Sequence, residues 1–201
     1  MNISLRLLIL GALGIVLTVT GCTLDRLGKA IGDHLCTTSN DERDFLVAST
    51  DYRLDGIVGY VYPSNANITS GIGTEAVPFY RLYNPGNGDH FYTTSYKERY
   101  KAIAGDYIDD GYCISEGGTP GCISFAGRIF PVKTELVPLI RLYQINTGDH
   151  AYTTSASEKA IALSAGYVDE GIAGFIFPTQ QSGTLPLYRL SNGHVSIYIP
   201  D

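Results

Sequence analysis

The sequence predicts a β-rich α+β fold of three pseudo-symmetric hairpin–helix–strand repeats, closed in a β-trefoil-like arrangement or, as the alternative, stacked openly. Three observations predict it. The stretch NPGNGDHFYTTSYKE (84–98) returns as INTGDHAYTTSASE (145–158). The chain has fifteen tyrosines and twenty-three glycines but no tryptophan, a composition that suits strands and turns facing water. Three apolar phrases ending in proline recur: IVGYVYP, FAGRIFP and IAGFIFP.

Residues 1–22 are read as a signal peptide outside the fold. Arg6 precedes the apolar run LLILGALGIVLTV, too short for a comfortable membrane span but suited to a signal core. Val19-Thr20-Gly21-Cys22 resembles a bacterial lipobox, so the expected product is a lipid-anchored protein of the bacterial cell envelope, acylated on Cys22. Thr23 is no inner-membrane retention aspartate, which leaves an outer-membrane destination open. Residues 23–201 then form one repeat domain. The net charge of −6 and the lack of a basic cluster exclude nucleic acid as a partner.

Each copy opens on an apolar-x-Arg-Leu strand at Leu24–Leu27, Phe79–Leu82, Leu139–Leu142 and Leu187–Leu190. A turn follows, then Asp33-His34, Asp89-His90 or Asp149-His150, shortened to Asn192-Gly193-His194 in the fourth copy. All four histidines thus share one repeat position. The next strand ends in Thr-Thr-Ser. Ser39, Ser95 and Ser155 each precede Glu42, Glu98 and Glu158 by three residues, the capping box of a helix of about three turns closed by glycine. A Tyr-x-x-Asp/Glu-Gly phrase leads into the last strand. The copies run about 23–77, 78–137 and 138–185, with a closing hairpin at 186–201 that completes what the first copy leaves open.

Cys113 and Cys122 bracket a Gly/Pro turn inserted in the second copy, and a local disulfide is expected there in an oxidising compartment. Cys36 aligns with Tyr92 and Tyr152 and is read as a substituted tyrosine.

The phrases LYRLYN, GDHFYTT and EGIAGFIFPT resemble the repeat of a domain-of-unknown-function family found on secreted bacterial and fungal proteins. The resemblance implies an extracellular, non-catalytic accessory module, often attached to secreted hydrolases, and brings no established ligand. The first copy departs from the pattern at Cys36 and the fourth is cut short after Gly193, so a site built on the full motif belongs to copies two and three.

Two readings of the Asp-His motif compete. As fastening, the aspartate accepts amides in a tight turn while the histidine bonds a neighbouring carbonyl or the Arg-bearing strand. As a ligand site, Arg81, Asp89, His90, Tyr92, Arg141, Asp149, His150 and Tyr152 would bond the hydroxyls of an extracellular glycan or cell-wall polymer while a ring stacks on the sugar. Envelope proteins are the alternative partners. Metal binding would need the histidines to converge on a symmetry axis, and no metal or cofactor is expected. Nor is catalysis: the serines are helix caps and no G-x-S-x-G, H-E-x-x-H or phosphate loop occurs.

Overall fold

A computed structural model describes residues 32–63, 76–110, 125–130 and 135–193. Cys22, Cys113, Cys122, His194 and the first Leu-x-Arg-Leu phrase lie outside these residues, so the signal-peptide, lipidation and disulfide expectations do too. The elements are β1 (Asp33–Thr37), α1 (Asn40–Ser49), β2 (Arg53–Val61), β3 (Val77–Tyr83), β4 (His90–Thr93), α2 (Tyr96–Ile103), β5 (Ile108–Asp109), β6 (Phe125–Ile129), β7 (Val137–Gln144), β8 (Asp149–Thr153), α3 (Ala156–Ser164), β9 (Tyr167–Ile176) and β10 (Leu185–Asn192). None of these helices is long and apolar enough to cross a membrane.

The ten strands form three separate antiparallel sheets rather than one closed barrel. In each sheet the Arg-Leu strand is central: β3 between β4 and β5 with β6, β7 between β8 and β9, and β10 between β1 and β2. The last described strand therefore fills the middle of the first sheet, which an open stack of repeats would not do. Short β5 and β6 together occupy the edge that β9 occupies alone.

Isolated bridges link the sheets in a cycle, Tyr60 with Phe177, Tyr62 with Arg128 and Phe130 with Phe175. Each is a reciprocal pair of backbone hydrogen bonds of 2.8–3.3 Å. The strands can come this close because Gly59, Gly127 and Gly174 stand where they cross. A Cβ on Gly59 would meet the Ile176 side chain and lie 2.9 Å from the Phe177 carbonyl oxygen, and the other two face Val61 and Ile129 in the same way. Repetition of one steric demand three times explains the glycine in each strand phrase.

Between these crossings and the Asp-His end runs the core. Phe79, Leu139 and Leu187 pack with Cys36, Tyr92 and Tyr152 and with Val61, Ile129 and Ile176. Tyr62, Phe130 and Phe177 then close the far end as a triangle of edge-to-face rings, centroids 5.4–6.2 Å apart.

Strands β1, β4 and β8 are buried along their whole length. One local expectation is corrected. Glycine closes α3, where Gly166 takes φ 88°, but in α2 the left-handed residue is Asp106, one past Gly105, and α1 ends on extended Thr50.

Gly59→Ala is expected to cost about 1–3 kcal/mol through overpacking at the crossing. Gly105→Ala, whose Cβ would meet only ordinary contacts, should stay within about 0.5 kcal/mol of wild type. Urea unfolding of the two variants checks the contrast.

Candidate functional site

The repeated polar residues come together as three tiers around the approach of the three sheets. In the first, each aspartate holds the histidine of the next unit. Asp33 Oδ1 accepts the His90 amide at 2.8 Å and its Oδ2 accepts from His90 Nδ1 at 2.6 Å. Asp89 grips His150 in the same way at 2.6 and 2.7 Å, and Asp149 closes the cycle on His34 at 3.0 and 2.9 Å. Each carboxylate also accepts a phenol from its own unit: Tyr52 on Asp33, Tyr107 on Asp89 at 2.6 Å, and Tyr167 on Asp149 at 2.5 Å.

The second tier is made by the tyrosines of the Tyr-Thr-Thr phrase. The Tyr152 hydroxyl accepts the Tyr92 amide at 2.8 Å and donates to the Tyr92 carbonyl at 2.9 Å. Tyr92 does the same to Cys36 at 2.7 and 2.8 Å. Cys36 fills the third tyrosine's place with a side chain too short to continue the ring, and Arg189 donates to the Tyr152 carbonyl at 3.1 Å. Burial pushes the Cys36 thiol up to about 12, which leaves it an inert core group.

In the third tier each arginine forms a two-pronged pair with the helix-cap glutamate of the preceding unit. Arg81 meets Glu42 at 2.8 and 2.9 Å, Arg141 meets Glu98 at 2.9 and 3.1 Å, and Arg189 meets Glu158 at 2.9 and 3.0 Å. Thr37, Thr93 and Thr153 donate to the same glutamates. The capping box is therefore only half made. Each serine accepts the glutamate amide at 3.2 Å, but the glutamate side chain turns away to the arginine, and the threonine hydroxyl receives the serine amide instead.

All eight residues expected to bind a ligand thus lie in these tiers. Asp89 and Asp149 are fully enclosed, Tyr92 and Tyr152 have no exposed surface, and His90 and His150 are buried. Arg81 is buried, Arg141 nearly so, and both are bound on two sides. Rings without an open face cannot stack on a sugar, and neither Tyr92 nor Tyr152 offers one. Spacing had pointed to none of the partners Tyr52, Tyr107 and Tyr167, nor to the second role of the cap glutamates. Their signal was recurrence at one repeat position.

The electrostatics are those of ion pairs. Burial disfavours the His90 imidazolium, but Asp33 and Asp110 outweigh it and hold the group at about 9. His150 is likewise held at about 9 against burial by Asp89 and Glu170, and His34 is raised against burial by Asp149. At Asp33 the His90 charge and the hydrogen bonds it receives overcome burial and keep the carboxyl below its usual range, whereas at Asp89 burial prevails and raises it. The three carboxylates offer oxygens within 4.8 Å of one another. Each already accepts an amide, an imidazole and a phenol, so the cluster is charge-compensated from within rather than open to a cation.

An Asp–His pair also orients the base of a hydrolase, but here the far nitrogen of two of the three rings faces a carboxylate. His90 Nε2 faces the Asp110 carboxylate at 3.3 Å and His150 Nε2 faces Glu170 at 3.5 Å. The first unit breaks the pattern. Its Asp55 is taken by Arg189 and by Ser191, which stands opposite His34 where Tyr83 and Tyr143 stack on the other two rings. His34 Nε2 is buried without a hydrogen-bond partner among the described residues.

Residues 26–118 and 124–198 match a family described as Domain of unknown function (DUF5648). The chain belongs to this family. No curated protein and no solved structure matches the chain. In this DUF5648 domain the tiers of paired groups account for the recurring Asp-His, Tyr-Thr-Thr and Arg-Leu phrases by their contacts within the fold.

Two outcomes follow from the ion pairs. His90 and His150 have folded values raised above the free imidazole's 6.5, so their contribution is complete below about pH 6.5. It is lost as pH rises through about 9, and urea unfolding at pH 6 and pH 9.5 should give the lower stability at the higher pH. His150→Ala leaves Asp89 buried with its charge unpaired and should cost about 3–5 kcal/mol, measured by the same unfolding experiment at pH 6.

Proposed function

We propose that the domain is a non-catalytic binding module, anchored to the bacterial envelope through an acylated Cys22, that holds an extracellular polymer, a carbohydrate. Its three sheets act as one pseudo-threefold body, a reading supported by the cyclic bridges and the cyclic Asp–His pairs. The groups repeated in each unit serve the scaffold, and ligand contact falls to surface groups that one unit carries alone.

The observation that carries the carbohydrate reading is a pair of tyrosines on α2. Tyr96 and Tyr100 are 61% and 67% exposed, one helical turn apart. The same positions hold Asn40 and Asp44 in α1 and Ala156 and Ala160 in α3, so no repeated structural demand puts rings there. A phenol that offers an apolar face and a hydroxyl to solvent matches the two-sided chemistry of a sugar ring.

A second reading is a protein-binding module of the envelope. It is favoured by Val47, Ile103 and Leu163, exposed apolar groups at one shared position of the three helices.

An array of glycans and cell-wall fragments probed with the purified, oxidised protein separates the two. Reproducible binding that one free sugar competes away is the expected result. A blank array from well-folded protein would overturn the carbohydrate reading and favour the protein partner.

A further inference from the structure

We propose that the outward face of α2 is the ligand site and that it takes an anionic polysaccharide, a polymer bearing uronate-type carboxylates. The proposal rests on the carbohydrate reading and adds both the place and the charge of the ligand.

At 100° per residue, Tyr96, Tyr100, Lys97 and Lys101 follow one another around less than half of the helix circumference. All four are exposed. Behind them the platform is rigid. Arg99, buried on the inner flank, is held by Asp109 through two hydrogen bonds, and its guanidinium lies 5.4 Å from the Tyr80 ring centre and 5.6 Å from that of Tyr96. Tyr80 meets Tyr96 edge to face at 6.5 Å. A ring braced this way loses little conformational freedom on binding.

Charge decides the class of ligand. α2 carries Lys97, Arg99 and Lys101 against Glu98, while α1 carries Asp41, Glu42 and Asp44 against Arg43, and α3 balances Glu158 with Lys159. On a chain of net charge −6, α2 is thus the basic one of three equivalent helices. Arg99 and Glu98 are neutralised by Asp109 and Arg141, which leaves the two lysine ammonium groups beside the rings to face the ligand. Rings for sugar faces with cations at their edge are complementary to a chain of acidic sugars. The helix surface is convex, and its paired rings are tyrosine rather than leucine or phenylalanine, which suits a thin hydroxylated chain better than an acidic peptide.

The test is titration calorimetry of the purified protein with polygalacturonate, alginate, neutral dextran and poly-glutamate, repeated with Tyr96→Ala/Tyr100→Ala and Lys97→Gln/Lys101→Gln. Wild type should bind at least one polyuronate, and dextran more weakly. The tyrosine double variant should lose about tenfold in affinity with its melting temperature unchanged. The lysine double variant should bind more weakly and lose most of its salt dependence. Glycan binding that survives loss of both tyrosines would overturn this site while leaving the carbohydrate reading standing. Dextran binding equal to polyuronate binding would overturn the anionic ligand. No binding to any polysaccharide would overturn the proposal while leaving the carbohydrate reading to the glycan array, and binding of poly-glutamate in preference to every polysaccharide would overturn both.

Discussion

The structure depends on the crossing of each buried aspartate to the histidine of the next unit. A carboxylate in the core is costly unless several donors surround it, and no single unit supplies enough of them. Asp33 receives a phenol from its own unit but takes its amide and its imidazole from the second. The requirement then repeats, from Asp89 to the third unit and from Asp149 back to the first. A cycle of such contacts has no end that can be satisfied alone, and this ties the three sheets into one body although their edges meet only at isolated bridges.

The other tiers follow the same direction of exchange. Tyrosine hydroxyls reach back to the backbone of the preceding unit and arginines reach back to its helix cap, so a helix N-terminus in one unit depends on a strand in another. Polar groups in a low-dielectric interior strengthen one another when every member has its partner, and they fix one geometry against alternatives. The place where the pattern lapses is informative. Cys36 interrupts the tyrosine ring, Ser191 replaces a stacking tyrosine, and His34 Nε2 has no partner among the described residues, all in the sheet whose central strand comes from the far end of the chain.

Much of this architecture was legible in the sequence and part was not. Recurrence of Arg-Leu, Asp-His, Thr-Thr-Ser and the proline-ended strand marked the units. The terminal Leu-Tyr-Arg-Leu phrase at Leu187–Leu190 pointed to a hairpin that completes what the first copy leaves open. Which aspartate meets which histidine was hidden, because spacing along the chain carries no information on contacts 57 to 115 residues apart. In the sequence Tyr52, Tyr107 and Tyr167 only open a phrase leading into the last strand; in β2 and β9 that phrase is itself strand. The cap glutamates were half read for a similar reason: the serine side of the box depends on neighbours in sequence, whereas the destination of the glutamate depends on an arginine from another unit. A single closed barrel was expected because the repeat count fitted one, but the strands pair within three separate sheets that isolated bridges join.

The division of labour between repeated and unrepeated residues has a consequence for the function. The Asp-His, Tyr-Thr-Thr and Arg-Leu groups found in all units are held by their neighbours and largely buried, while the helix surfaces differ from unit to unit. The binding proposed for the domain is accordingly placed where the units disagree.

The most direct test of the fastening is a double-mutant cycle on unfolding free energy with Asp89→Asn and His150→Gln, singly and together, at pH 6. Partners joined across two units should show a coupling of at least about 1.5 kcal/mol. Additive effects within about 0.5 kcal/mol would contradict the account, because the two residues would then support the fold independently.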